Sequence, residues 1–264
     1  MEGKNCLITG SSRGLGYHTA LGLAKKGAHV ILVSHSDERL KTAQEKINLA
    51  AGEGSASFYV ADLSSQAETR KLAKQVQSDY DHLDVLVNNV GGWFRTYHTT
   101  KDGYEMTFAL NHLSYFLLTG LLLDLIIKSA PARIINVSSI AHRLVSNIQI
   151  GTSRFKNFFQ LYKAYAQSKL ANVLFTYSLA NRLEGTGVTV NVLHPGLVSS
   201  RLYRDEDFLT RAVNLIANQF GKSSEEGAET PIYLACAPEV GNISGKYFVN
   251  KNPKRSSPAS YDKQ

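Results

Sequence analysis

The sequence predicts an α/β fold: a single domain built on a doubly wound parallel sheet with helices on both faces. Three observations lead there. Short apolar runs with strand character alternate with longer helical periods through most of the chain. The runs are separated by enough residues to hold a helix, and strands joined by helical crossovers lie parallel. The chemistry-bearing glycines, serines and asparagines stand where the runs end, and sheets of this kind bind ligands beyond the carboxyl ends of their strands.

The elements follow in order. Asn5–Thr9 is a short apolar strand, and Tyr17–Lys26 is a helix closed by Gly27. His29–Val33 is the second strand, followed by a helix from Asp37 to about Ala51. Ser57–Val60 and the helix Ser65–Tyr80 repeat the unit. Asp84–Val87 runs into Asn88-Asn89, and a long helix extends from about Gly103 to Lys128. Arg133–Val137 is a strand, Tyr162–Leu183 a helix, and Val188–Leu193 a strand ending near Pro195-Gly196. No internal repeat interrupts the pattern. Residues 1–250 form one domain, and 251–264, with Lys251, Lys254 and Arg255, read as a polar basic tail.

With 264 residues the chain can bury a sizeable core. An apolar share of 43% and a charged share of 19% are ordinary for a soluble globular protein. The net charge of +7 raises nucleic acid or a membrane surface, but lysines and arginines are scattered, so no nucleic-acid partner is expected. Such a field also draws small anions. Cys6 and Cys236 have no metal-ligand spacing, so no metal is expected, and free thiols suit a reducing compartment. The apolar run at Cys6–Thr9 is too short for a signal peptide. The longest apolar stretch, Tyr115–Ile127, contains Asp124 and falls short of the roughly 20 residues that span a bilayer. It reads as a buried helix, and the protein as cytoplasmic, with no integral membrane span.

Gly10, Gly14 and Gly16, in Thr9-Gly10-Ser11-Ser12-Arg13-Gly14-Leu15-Gly16, follow a strand and open a helix. Glycines there let a pyrophosphate approach the backbone, and the helix N-terminus offers N–H donors and a favourable dipole. The Thr-Gly-x-x-x-Gly-x-Gly spacing resembles the short-chain dehydrogenase/reductase family, whose fold is a Rossmann-type sheet. Asn88-Asn89-Val90-Gly91 is similar to the family's Asn-Asn-Ala-Gly, with Val90 in place of Ala, and Asp62-Leu63 matches its adenine-contacting pair. The resemblance implies cofactor contacts from Gly10, Ser12, Arg13, Gly14, Leu15, Gly16, Asp62, Leu63, Asn89, Val90 and Gly91. A carboxylate after the second strand would bind a ribose diol and repel a 2′-phosphate; Ser34 stands there instead. Arg13 and His35 occupy positions where relatives that take NADP often carry bases. NADP(H) is therefore expected over NAD(H), with Ser34 and His35 at the ribose.

Tyr165 and Lys169 in Tyr165-Ala166-Gln167-Ser168-Lys169 lie one helical turn apart. A carbonyl reduced by hydride needs a proton, and the reverse reaction needs a base. A free tyrosine with a pKa of about 10 is a poor base near neutrality, and an adjacent ammonium lowers that value. The run on to Asn172 resembles the family's catalytic helix, and Asn136-Val137-Ser138-Ser139 its preceding strand end. The resemblance implies Ser139 as the serine that binds substrate oxygen, with Ser138 as its reserve. It also implies Asn111 as the fourth catalytic residue, holding a water in a relay to the lysine. Tyr162 is the rival phenol, but Ala166 follows it at the position of the lysine. His112 and His142 read as structural. His194-Pro195-Gly196-Leu197-Val198 is similar to the family's turn beneath the nicotinamide, which implies contacts from Pro195, Gly196 and Val198, with Ser200 near a phosphate-binding position.

Val137-Ser138-Ser139-Ile140-Ala141-His142 and the run Ser168–Phe175 are most similar to the retinol dehydrogenase-like branch, whose members act on lipophilic carbonyls or alcohols such as retinoids and steroids. Substrate loops are expected at 93–100, 140–160 and 200–222, with Trp93, Phe94, Phe155, Phe158 and Phe159 able to line an apolar pocket. The resemblance also implies a homodimer or homotetramer through the helices carrying Asn111 and Tyr165. A catalytically silent nucleotide-binding scaffold or sensor is the alternative, and the Asn111, Ser139, Tyr165, Lys169 set weighs against it.

Overall fold

The structure, a computed structural model, describes residues 1–94, 96–149, 158–196 and 222–261, with the backbone alone at 158 and 159. Strand β1 (Asn5–Thr9) lies between β2 (His29–Ser34) and β4 (Val85–Asn88), parallel to both. Its side chains alternate between two cores, Cys6 and Ile8 facing one and Leu7 the other. Both faces are covered, which is why these strands are apolar throughout.

Helices α1 (Gly14–Ala24) and α2 (Asp37–Ala51) cover the first face, joined by a helix the periodicity did not suggest, here α7 (Ser224–Cys236). A reciprocal capping box between Ser223 and Glu226 starts α7. Helix α3 (Gln66–Asp79) follows β3 (Ala56–Val60) and covers the second face. It is joined there by a long helical segment: α4 (Met106–Phe108), a π-helical stretch at Ala109–Leu113, and α5 (Ser114–Lys128). Strand β5 (Ala132–Val137) leads through a 3₁₀ turn at Ile140–Leu144 toward α6 (Phe158–Arg182), and β6 (Val188–His194) follows.

Among the described residues the sheet order is β3-β2-β1-β4-β5-β6-β7-β8, with β7 (Tyr247–Val249) parallel to β6 and β8 (Asn252–Lys254) antiparallel to β7. The strand order reverses between β1 and β4, the switch point at whose carboxyl ends sheets of this kind offer a ligand crevice. The expected doubly wound sheet is present, with helix ends displaced by a few residues. One expectation needs correction: the basic segment after residue 250 is folded through Tyr261. Its Asn252–Lys254 strand pairs with β7, and Ser256, Ser257 and Ser260 are buried. Charge made it look like a tail, but its small serines pack.

The segment Met106–Lys128 spans 23 residues and is long and apolar enough, by those measures alone, to cross a bilayer. Its Leu118, Leu122 and Ile126 are fully buried in the second core, as expected for a helix covering a sheet.

Candidate active site

The crevice is framed on one side by the loop from β1 into α1. Gly10 and Gly14 have φ of +66° and +58°, in the left-handed region that favours glycine. A Cβ on Gly16 would come within 2.5 Å of the Gly10 carbonyl oxygen, so this close crossing of the chain requires a glycine. The loop is pinned to β2 by the Gly10 and Ser11 amides, which donate to the Val33 carbonyl at 2.8 and 3.2 Å. Ser12 Oγ donates to Ser34 Oγ at 3.0 Å. It is pinned to β4 by Thr9, whose hydroxyl accepts from the Asn89 and Val90 amides at 2.9 and 3.0 Å. Asn89 Nδ2 returns a bond to the Thr9 carbonyl at 2.7 Å.

The first turn of α1 contains no acidic residue, and Arg13 at the N-cap position gives it no side-chain cap. Its amides, Leu15 included, are thus set to meet an anion. Arg13 and His35 are both exposed, on the rim joined by the Ser12–Ser34 bond. Asp62 is exposed, with Oδ1 accepting from Ser64, while Leu63 is buried. The residues present fit a dinucleotide along the strand ends.

The other side is built from buried polar side chains. Asn111 lies in the π-helical stretch, fully buried. Such widened turns re-aim side chains and recur at functional sites. Its Oδ1 accepts from the Gly92 amide at 2.9 Å, and its Nδ2 donates to the Gly92 carbonyl and to Ser168 Oγ, each at 3.0 Å. Ser168 donates in turn to the Tyr165 carbonyl at 2.7 Å. Asn172 continues the lattice, donating to the Asn111 carbonyl at 2.9 Å and meeting His112 Nδ1 at 3.0 Å.

Lys169 is 4% exposed, and its Nζ donates to the Val137 carbonyl at 3.2 Å. It lies 5.8 Å from the ring centroids of both Tyr165 and Tyr115. Burial drives its pKa down to about 7, because an ammonium loses hydration there. A Cβ on Gly91 would come 3.0 Å from Asn111 Oδ1 and 3.4 Å from Lys169 Nζ. The Asn89-Val90-Gly91 turn of the glycine-loop side therefore touches the lysine and asparagine of the other.

The two serines at the end of β5 are distinguished by what they bond. Ser138 is buried and donates to the Lys169 carbonyl at 2.8 Å, anchoring α6. Ser139 is half-buried and caps the 3₁₀ turn, accepting from the Ala141 amide at 3.2 Å. Tyr165 packs with Trp93, Ala141 and Ala166, and Tyr162 stacks beside it at 6.2 Å. Lys169 meets the ring of Tyr165, the phenol expected. Phe94 instead packs against the second core. Pro195 and Gly196 follow β6, Gly196 with φ of +95°. Val198, Ser200, Phe155, residues 150–157 of the expected loop at 140–160 and nearly all of that at 200–222 lie outside the described residues, as do the side chains of Phe158 and Phe159.

Periodicity and motif missed Tyr115. It is buried below α5's surface, donates to the Val90 carbonyl at 2.8 Å and puts its ring beside Lys169. It sat within an apolar run, where an aromatic reads as core.

A mostly parallel sheet with a glycine loop at its strand ends is the frame of a dinucleotide-binding protein, and residues 4–207 match the short chain dehydrogenase family model. The chain belongs to that family. It is 40% identical to mouse retinol dehydrogenase 14 over 275 residues, covering 99% of this chain and 82% of the relative. It is 38% identical to human retinol dehydrogenase 13, covering 100% of this chain and 81% of that one. Among solved structures it is similar to the Pseudomonas aeruginosa RhlG/NADP active-site complex, with a TM-score of 0.72, 29% identity and 94% coverage of each chain. The chain is thus a retinol dehydrogenase-like oxidoreductase acting between CH–OH and C=O.

Proposed function

We propose that this protein is an NADP(H)-dependent oxidoreductase for lipophilic carbonyls and alcohols of retinoid- or steroid-like character, with Tyr165 as acid and base. The observation that carries the reading is the contact of the Gly91 turn with Asn111 and Lys169, which brings a nucleotide loop against a tyrosine–lysine pair. When bound, the nicotinamide supplies or takes the hydride. Gly10, Ser12, Gly14, Leu15 and Gly16 hold the pyrophosphate, Asp62, Leu63 and Val90 the adenine, and Pro195, Gly196 and Val198 the carboxamide, with Ser200 beside the phosphates. Arg13 and His35, beside an uncharged Ser34, favour the 2′-phosphate.

In the reducing direction the Tyr165 hydroxyl hands its proton to the carbonyl oxygen, which Ser139 orients by hydrogen bond. Lys169, with a pKa near 7, can release or take a proton around neutrality to restore the phenol, and Asn111 keeps that ammonium's surroundings in place. Ile140 and Leu144, 45% and 64% exposed on the turn after Ser139, form an apolar rim that suits a lipophilic substrate. The relatives' names put retinol and its aldehyde first among candidates. The exposed Phe116, packed on Phe175, supports a homodimer or homotetramer through α5 and α6. We place the protein in the cytoplasm, its free Cys6 and Cys236 supporting a reducing compartment.

The test is NADPH consumption across lipophilic aldehydes, ketones and quinones, retinaldehyde included, with Tyr165→Phe alongside. Turnover lost in the variant is the expected result. NADPH binding without turnover of any compound would favour a silent sensor, and tighter binding of NADH than NADPH would overturn the cofactor assignment.

A further inference from the structure

We propose that residues 255–261 form a strap that positions Ser139, with His142 as the positioning residue that carries the connection. This rests on Ser139 being the serine that meets the substrate. His142 is fully buried and follows Ser139 on the 3₁₀ turn. Its Nδ1 lies 2.6 Å from the Ser139 carbonyl oxygen, and the Ser257 amide reaches its Nε2 at 3.0 Å. A peptide N–H can only donate, so Nε2 is the acceptor and the ring proton sits on Nδ1, donating to Ser139. Both ring nitrogens are thereby used, and the ring is fixed against Tyr247 at 4.9 Å.

A second clasp lies beside the first, where the Arg143 guanidinium donates to the Arg255 carbonyl. The strap is tied on its far side to the helix that carries Tyr165 and Lys169. Tyr177 of α6 bonds Ser256 Oγ at 2.7 Å and stacks on Tyr261 at 5.6 Å. Within the strap the Ser256 amide donates to Tyr261 at 3.1 Å, and Ser260 Oγ donates to the Ser257 carbonyl at 2.6 Å. Serine turn and catalytic helix, which come from different segments of the chain, are thus held to one another by a third. A serine that must meet a carbonyl oxygen while a tyrosine on another element does the same needs such a link, because small misplacements are costly in rate.

The experiment compares the full chain with His142→Leu, His142→Asn, Ser257→Pro and Ser139→Ala, using NADPH and the most active aldehyde of the panel. Asparagine puts its amide Nδ2 where Nδ1 stood, keeping the donor to Ser139 but leaving the Ser257 amide without its acceptor. Proline suits the φ of −64° at residue 257 but replaces the donor N–H with a methylene facing the ring. His142→Leu and Ser257→Pro should lower kcat about tenfold or more, with the NADPH dissociation constant changed by less than about twofold. His142→Asn keeps the bond to Ser139 but breaks the link to the strap, so its kcat should fall with that of Ser257→Pro. Unchanged kcat in His142→Leu, or wild-type kcat in His142→Asn, would overturn the inference. Should the leucine variant fail to fold, His142→Asn and Ser257→Pro decide: kcat lowered in both supports the strap, and wild-type kcat in either overturns it. An active Ser139→Ala, or a wild-type chain without turnover, would instead overturn the reading beneath it.

Discussion

The two sides of the strand-end crevice hold their shape by opposite means. The glycine-loop side is made of backbone: the essential property of Gly10, Gly14 and Gly16 is the missing side chain, and the pins are peptide groups with Thr9 and Asn89. The catalytic side is made of buried side chains: Asn111 bonds Ser168, Asn172 bonds the Asn111 carbonyl, and Asn172 and Lys169 share the Val137 carbonyl. The first side therefore tolerates no added atom, and the second no removed partner. Buried polar groups of the second kind are expensive when half-satisfied, so each is locked by its neighbours.

Tyr165→Phe removes one oxygen from the catalytic side and is expected to lower kcat by about 100-fold or more, the reach of positioned acid–base catalysis. NADPH titration should show nearly unchanged binding, since the glycine loop is untouched. Asn111→Leu keeps volume but strands the Gly92 amide and carbonyl; a loss of about 1–3 kcal/mol should appear in urea melts, with kcat lowered as well. Gly16→Ala tests the other side. Its methyl meets the Gly10 carbonyl, so NADPH should bind about tenfold more weakly while kcat at saturating NADPH changes little. If Gly16→Ala depressed kcat and left NADPH affinity intact, the division between the two sides would be wrong.

The contrast also explains what could be read in advance. The glycine loop is local in sequence, and glycines between a strand and a helix announce a backbone need. The doubly wound parallel sheet was legible through strand and helix periods, while the strand order and the two cores came from the structure. Tyr165 and Lys169 were legible because one helical turn joins them. The rest of the catalytic side depends on pairs far apart: Asn111 meets Ser168 across 57 positions, and His142 meets Ser257 across 115. Spacing carries no signal for such pairs, so His142 reads as a generic structural residue and Ser257 as part of a tail. Tyr115 was hidden differently, because its hydroxyl function lies inside an apolar run.

The smallest expected effect concerns acid. Burial lowers the pKa of His112, His142 and His194, all on the catalytic side, and His194 falls to about 4. These imidazoles are neutral in the native protein, while the unfolded chain begins to take up protons near pH 6.5. Their contribution to stability is therefore present above pH 6.5 and is lost as pH falls toward each ring's lowered folded value, about 4 for His194. For His194, 8% exposed, the loss between pH 7.5 and pH 5 should be about 1–2 kcal/mol, read as a lower urea midpoint. His194→Asn removes the titrating ring, so its midpoint should vary less over that interval whatever its stability at pH 7.5. An equally steep dependence in that variant would place the acid sensitivity outside this histidine. The catalytic side would then owe its acid response to the other two rings, and His142, as the one bonded to Ser139, would be the next to replace.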